Sequence, residues 1–293
     1  MSRKILPTGL RKGLSRGMFT GILHGTFNGT YNGLFSSNIY SIFQPETIAW
    51  VSQLAFPKPS PFYLFEIDYF IARLKIAGIW KQLDRLWIFA TEQQSHARVS
   101  LVNPNGINTP WPSNITEVNS PEWTKLQGYT GNGSNSYLNT NFVNGTYYKL
   151  NSASIGFYIN ALNTASSGQD GVYDGTNITS LILNYSSGLD YADLNSLVNN
   201  ISGTAKGKAG LYIMNRINNS SLALSFNGTP YISGNIDTSA IPTGSQFIMA
   251  RNDSGSPNWY TNHQYSMAFY GSGSLNQVLL SHHFNLFFTK IGF

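Results

Sequence analysis

The sequence predicts a mainly β protein: an antiparallel β-sandwich or jelly roll preceded by one helix, closed by a C-terminal helix, and carrying an extended, glycine-repeat N-terminal arm. Three observations indicate this class. About ten short β-type runs follow one another between Leu86 and Gly271. Asn-Gly and Asp-Gly pairs, typical of tight hairpins, separate several of them. The third is that the sequence contains no repeat of 20 to 50 residues, which a propeller or a solenoid would show.

The N-terminal arm is defined by glycine on every fourth residue from Gly13 to Gly33 and by a basic leader. Residues 1–45 hold five basic residues and no acidic one, which leaves 13 basic against 13 acidic residues in the rest. A positive segment on a neutral body is typical of a docking element. The anchoring residues predicted here are Arg3, Lys4, Arg11, Lys12, Gly13, Arg16, Gly17, Phe19, Gly21, Gly25, Phe27, Gly29, Tyr31, Gly33 and Phe35.

The conformation of this arm stays open. As a helix, its glycines would form a groove for close backbone packing, yet each costs about 0.5 to 1 kcal/mol relative to alanine. As an extended chain, its aromatic residues would fill pockets on a partner. A disordered low-complexity tail is the third interpretation. A secretory signal peptide fits less well, because Gly13, Arg16 and Gly17 interrupt the apolar run it requires.

Residues 46–66 are predicted as a proline-rich, semi-rigid connector, within which a short helix over 46–54 is allowed. The main domain then covers residues 67–293. Its first element is a helix over Asp68–Leu83, capped by Asp68. A final helix begins at a Ser274 cap with Gln277 in the capping-box position and ends at Gly292.

The β-type runs are assigned from alternation and from β-branched or aromatic content. They are Leu86–Ala90, Ala97–Val102, Ser136–Asn139, Ala153–Ile159, Gly171–Tyr173, Thr179–Leu183, Gly210–Asn215, Ser221–Phe226, Thr229–Ile232, Gln246–Ala250 and Tyr265–Tyr270. The turn pairs that supply positive φ are Asn132-Gly133, Asn144-Gly145, Asp174-Gly175 and Asn227-Gly228.

Composition limits the chemistry. The chain has no cysteine, so disulfides, thiolate zinc sites and cysteine nucleophiles are excluded, and charged residues make up only 11%. The five histidines show no metal-ligand spacing, and no cofactor is predicted. Calcium through loop aspartates (Asp170, Asp174 or Asp253) is the remaining metal hypothesis. Glu66-Ile67-Asp68 starts a glycosidase-type strand motif, but the second glutamate is missing and a helix cap explains Asp68 more simply.

Sugar binding is predicted from aromatic residues among neutral polar ones. Trp259 and Tyr260 lie in the run SGSPNWYTNH, and Trp111 lies between two prolines. Exposed rings of this kind stack on sugar faces. The alternative is that these rings only cover the ends of the sandwich.

Several segments in order also resemble a known family. They are DYFIARLKIAGIWKQLDRLWIFA from Asp68, RVSLVN from Arg98, NSP from Asn119, GYTGNGSNSYLNT from Gly128, NSASIGFYI from Asn151 and the closing LFFTKIGF. Over roughly residues 65–290 the chain resembles the laminin-G-like, concanavalin-type jelly-roll domains of tailed-phage structural proteins. The resemblance implies two packed antiparallel sheets and a virion component, as a fibre, head-decoration or tail-associated protein. It implies no particular ligand.

Together these observations predict a non-enzymatic virion protein whose arm docks on other virion proteins and whose jelly roll is displayed outward. Host surface polysaccharide is a candidate partner, and the chain is expected to be a homodimer or homotrimer. A bacterial or phage lectin-like protein and an atypical glycoside hydrolase are the alternatives. Contact of the basic arm with packaged nucleic acid or with a membrane is the less favoured use of its charge.

Overall fold

The computed structural model describes residues 43–104, 114–143, 145–163 and 168–292. From Gln44 on, the chain forms one compact unit, Gln44–Phe293. The anchoring-arm residues from Arg3 to Phe35 and the candidate Trp111 lie outside the described residues. Among the described helices, none is long and apolar enough to span a membrane.

Two helices precede the first strand. Helix α1 is Pro45–Gln53 and α2 is Pro61–Ile76, and each has proline in its first turn. A 3-10 turn, Trp80–Gln82, leads into the strands, a short α3 (Gln94–Ala97) follows β1, and α4 (Gln277–Ile291) closes the chain.

Sheet 1 contains eight strands in the order β13-β12-β11-β6-β17-β4-β3, with β1 also paired to β17. Its strands are β1 (Leu83–Ile88), β3 (Glu122–Thr124), β4 (Gly128–Thr130), β6 (Ala153–Ala161), β11 (Gly210–Arg216), β12 (Ser221–Phe226), β13 (Thr229–Asn235) and β17 (Gln264–Gly271). Every pairing in it is antiparallel.

Sheet 2 contains nine strands in the order β10-β9-β8-β7-β14-β5-β2, with β15 paired to β7 and β16. Its strands are β2 (Thr116–Val118), β5 (Tyr137–Asn139), β7 (Asp170–Tyr173), β8 (Asn177–Ile182), β9 (Leu189–Leu197), β10 (Ile201–Thr204), β14 (Phe247–Ile248), β15 (Arg251–Asp253) and β16 (Ser256–Asn258). The β15–β7 pair is parallel, and the other pairs are antiparallel.

The hydrophobic core lies between the two sheets. It includes Trp87 and Phe157 from sheet 1 and Leu181 and Leu194 from sheet 2, all almost fully buried. The predicted fold class, a mainly β antiparallel sandwich with a C-terminal helix, is therefore confirmed.

Helices α2 and α4 cover the other face of sheet 1. Tyr158 alternates along β6 with two core residues and so points away from the core. Its ring centroid lies 4.4 Å from that of Phe288 in α4, while Phe70 of α2 lies 5.0 Å from Phe284. Sheet 1 is thus packed on both faces.

Three predicted elements were placed wrongly, including the helix predicted over Asp68–Leu83, which spans Pro61–Ile76. Helix α2 begins at Pro61 with Ser60 as its N-cap, and Asp68 lies within it, where its carboxylate accepts hydrogen bonds from Gln44 N and Thr47 Oγ1 at 2.6 Å each. Residues 97–102 form no strand, since α3 ends there. The N-cap of α4 is Asn276, not Ser274; its side chain accepts from Leu279 N.

The segment predicted as a connector, 46–66, forms most of α1 and the first six residues of α2. Trp50 of α1 is buried and donates its indole N–H to the carbonyl of Val99 at 3.2 Å. The Gly292 cap is confirmed, with a φ of 95°. Positive φ is also found at Gly133, Gly175 and Gly228, as the turn chemistry predicts.

Candidate functional site

The run with the predicted aromatic platform forms the β15–β16 hairpin and the residues that follow it. Ser254 and Gly255 make the turn with positive φ values of 51° and 96°. Asn252 holds the hairpin against the neighbouring segment: its amide donates to Ser245 O at 2.9 Å, and its carbonyl accepts from Gly255 N at 2.7 Å. Trp259 follows β16 directly and therefore lies four residues after a fixed turn.

The two predicted rings have different environments. Trp259 is 38% exposed, with a φ of 55°. Tyr260 is half-buried against the core: its hydroxyl donates to Pro257 O at 3.1 Å, and its ring lies 6.3 Å from that of Tyr137. Of this pair, only Trp259 offers a substantial free ring.

Arg251 links Trp259 to a second aromatic ring. Its guanidinium carbon lies 5.5 Å from the centroid of Trp259 and 5.3 Å from that of Tyr173. Two of its nitrogens donate to the Asp253 carboxylate, and a third donates to Gln169 Oε1 at 2.8 Å. The cation is therefore fixed in place and neutralised, and we call Tyr173, Arg251 and Trp259 the ring cluster.

The strand register places the ring cluster on the face of sheet 2 that points away from the core. Gly171 pairs with Arg251 on one side and with Ser180 on the other, and Ser180 pairs with Asp193. Their chain neighbours Leu181 and Ala192 are core residues, so Ser180 and Asp193 face the opposite way. Because Gly171 has no side chain, nothing projects between Arg251 and Ser180 in this row.

Two buried polar atoms on this face of β9 have no hydrogen-bond partner among the described residues. Asp193 Oδ1 and Ser196 Oγ accept or donate no hydrogen bond within the described structure. Burial raises the pKa of Asp193 to about 7, against the opposing effects of the Asn199 N–H, the Arg251 charge and the Ser180 hydroxyl. Uncompensated buried groups of this kind are rare in folded proteins, and a bound ligand or water commonly explains them.

A polar groove of about 480 Å³ lies on the other side of the hairpin. It is lined by Asn139, Asp174, Thr243, Gly244, Ser245, Phe247, Asn252, Ser254 and Gly255. Burial alone would raise the pKa of Asp174, but the N–H groups of Asn177, Thr243 and Thr176 outweigh it and hold that pKa below its usual range. Amides and hydroxyls give the groove hydrogen-bonding capacity, and the Asp174 carboxylate gives it one negative charge.

The structure gives the candidate metal and acid residues other partners. Asp170 accepts from Tyr265 Oη and Met249 N inside the sandwich, Asp174 organises a turn, and Asp253 binds Arg251. Within the described ranges, no three His, Asp or Glu residues form a group that could hold a metal ion. Calcium binding stays a prediction without a described donor set.

The glycosidase-type triplet lies on helix α2 rather than on a strand. Glu66 and Asp68 are two residues apart on that helix, so their side chains project about 160° apart, on nearly opposite faces. The arrangement does not place two carboxylates in one cleft, as hydrolysis with an acid and a nucleophile requires.

Sequence reasoning named Trp259 as a candidate but did not name Tyr173, Arg251 or Gln169, which lie beside it. The parallel β7–β15 pairing, which joins residues about 80 positions apart, brings them together. The available signal was the arginine eight residues before the tryptophan in a chain poor in charge.

Comparison with protein-family models and with curated proteins returned no match. Among solved structures, the NanB sialidase from Streptococcus pneumoniae is 16% identical, with 41% of this chain and 22% of that chain covered and a TM-score of 0.33. The binding domain of botulinum neurotoxin DC, in complex with SialylT, is 10% identical, with 70% and 51% covered and a TM-score of 0.46. Domain 4 of AbnA, a GH43 arabinanase from Geobacillus stearothermophilus in complex with arabinotriose, is 14% identical, with 68% and 98% covered and a TM-score of 0.43.

This chain thus spans about a fifth of the sialidase and half of the toxin domain. The two-sheet sandwich is established by the strand pairing of this chain. The resemblance to jelly-roll domains is confirmed as to the two-sheet sandwich. A phage origin stays a prediction.

Proposed function

We propose that the unit Gln44–Phe293 is a carbohydrate-binding domain that contacts sugar through the ring cluster on sheet 2. The observation that carries this proposal is the exposed Trp259 ring beside an arginine fixed by Asp253 and Gln169. A flat apolar ring suits the C–H face of a pyranose, and guanidinium and carboxylate edges suit its hydroxyls. Because the polar groups are already ordered, binding costs little side-chain entropy.

The charge balance favours neutral sugars. Asp253 neutralises Arg251 through two hydrogen bonds, so the cluster offers donors without a free positive charge. The neighbouring groove adds amides and hydroxyls. We therefore propose neutral, hydroxyl-rich saccharides as the ligand class, bound without hydrolysis.

Replacing Trp259 with alanine should weaken sugar binding by about 10- to 100-fold, or roughly 1.4–2.7 kcal/mol, because the stacking surface is lost. The full chain would be screened on a glycan array of neutral and anionic oligosaccharides, and the strongest neutral ligand titrated by calorimetry. Tyr147→Ala is the matched control, since that ring is 43% exposed on another loop. Absence of binding across the array, or equal loss in both variants, would contradict the proposal.

A second proposal concerns residues 1–43, which we infer anchor the domain to a virion. Its support is that the unit boundary at Phe43/Gln44 lies close to the end of the predicted arm, residues 1–45. Gln44 belongs to the body, because its N–H donates to Asp68 and its side chain accepts from Lys75. The deletion must therefore stop at Phe43.

Deleting residues 1–43 should leave the circular dichroism spectrum of the β-sandwich and its sugar binding unchanged while abolishing incorporation into particles. Incorporation is measured by density-gradient sedimentation of particles assembled with the full or the shortened chain. Equal incorporation of both would show that the arm is not the anchor. A matched deletion that also removes Gln44 and Pro45 would reveal damage to α1 through lower thermal stability.

A further inference from the structure

Helix α2 is apolar on two faces, and only one of them is covered by the body. Its buried face carries Tyr63, Leu64, Ile67, Phe70, Ile71 and Leu74. Phe62, Tyr69 and Ile76 are 56%, 54% and 88% exposed. These three residues recur every seven positions, so they form one stripe along the helix, which we call the heptad stripe.

The heptad stripe is large enough to matter energetically. With whole side-chain areas of about 200 Å² each, the exposed fractions correspond to roughly 400 Å² of apolar surface. That is about half of the ~800 Å² that each partner buries in a standard interface, and neighbouring residues of α2 and α4 would add to it. Scattered exposed apolar residues are ordinary, but three of them in register along one helix, with this total area, indicate an interface.

Two opposite charges flank the heptad stripe on one side. At 100° per residue, Glu66 lies about 60° and Arg73 about 40° from Tyr69, in the same rotational sense. Arg73 lies over the Tyr69 ring at 3.9 Å. Neither charge has an ion-pair partner among the described residues.

We propose that a second copy of this chain covers the heptad stripe, forming a two-fold symmetric dimer through antiparallel α2 helices. Centred on Tyr69, such a pair places Phe62 of each copy against Ile76 of the other. The two-fold axis that relates antiparallel helices places the charged flanks of the two copies on the same side of the interface. Glu66 of each copy therefore lies against Arg73 of the other, which gives two ion pairs. A parallel pair would place these charges on opposite sides of the interface, so the charge pattern selects the antiparallel arrangement.

Charge reversal tests the pairing in the full-length protein. Sedimentation velocity over about 1–100 µM should show a dimer for the natural chain and at least 10-fold weaker association for Glu66→Arg and for Arg73→Glu. Mixing these two variants should restore dimers, because one copy then carries arginine at both positions and the other carries glutamate at both, so each contact again joins opposite charges. Lys81→Glu, an exposed reversal on the 3-10 turn, is the control and should change nothing.

Each alternative gives a distinct result. A natural chain that stays monomeric would overturn the proposal, as would dimers that survive both reversals and Tyr69→Glu, since the contact would then lie elsewhere. Association that appears only after residues 1–43 are deleted would show that the chain's own N-terminal segment covers the stripe. Each variant should unfold at the same temperature as the natural chain, which shows that a change in association is not caused by misfolding.

Discussion

Replacing Asp84 with alanine should lower the free energy of unfolding by about 3–5 kcal/mol. Asp84 is buried in β1, and its carboxylate accepts from the backbone N–H groups of Thr146 and Tyr148 at 2.6 Å and from that of Tyr147 at 3.0 Å. Gly145 allows this approach, because a β-carbon there would overlap the carboxylate. Alanine would leave three N–H groups without their acceptor.

The loss of stability should extend into the core, because the segment that Asp84 binds, residues 146–148, also contacts sheet 2. Tyr148 is fully buried, and its hydroxyl donates to Asn195 Oδ1 at 2.5 Å. Urea unfolding followed by circular dichroism measures the change, with Asp237→Ala as the exposed control expected to stay within about 0.5 kcal/mol. A loss below about 1 kcal/mol for Asp84→Ala would show that water replaces the carboxylate.

Local sequence signals cannot reveal a group such as Asp84, because its partners lie more than 60 residues away. The same limit applies to the ring cluster, whose arginine and Tyr173 meet only through strand pairing. Trp259 could be named as a candidate sugar-binding residue because a tryptophan among Asn, Ser and Pro is locally unusual. The architecture could be predicted from turn chemistry and alternation, which act over a few residues.

The misplaced helix start has a definite physical reason. Prolines 45 and 61 were interpreted as breaking helices, yet proline is well suited to the first helical turn, where its missing N–H has no intrahelical partner. Ser60 then supplies the cap, accepting from Tyr63 N at 3.2 Å. Strand β9 was missed because aspartates and asparagine at buried positions, Asp190, Asp193 and Asn195, broke the apolar alternation.

The helix layer decides where a ligand can bind. Since α2 and α4 occupy one face of sheet 1 and the core occupies the other, the face of sheet 2 around the ring cluster is the sheet surface left for contact. The proposed dimer uses the opposite side of the molecule, the outer side of α2. Sugar binding and self-association can therefore operate together.

Stability should fall as the pH rises from about 4 to 7, because burial raises the pKa of Asp170 to about 7, despite hydrogen bonds from Tyr265 Oη at 2.6 Å and Met249 N at 2.7 Å. The unfolded chain releases this proton near pH 4, whereas the folded protein holds it until about pH 7. The folded state thus binds more protons across that window. Its stability is greatest below the unfolded pKa and is lost as pH passes the folded one, at a cost of roughly 4 kcal/mol for one group.

Asp170→Asn should flatten that dependence, because the amide is neutral at every pH in the window and keeps an oxygen for Met249 N. The measurement is urea unfolding at half-unit steps from pH 4.5 to 7.5, with Asp237→Asn as the exposed control. Asp193, whose pKa burial also raises to about 7, supplies the slope that remains in the variant. Identical pH profiles for the natural chain and Asp170→Asn would mean that the buried carboxylate is ionised throughout, stabilised by its two donors against the cost of burial.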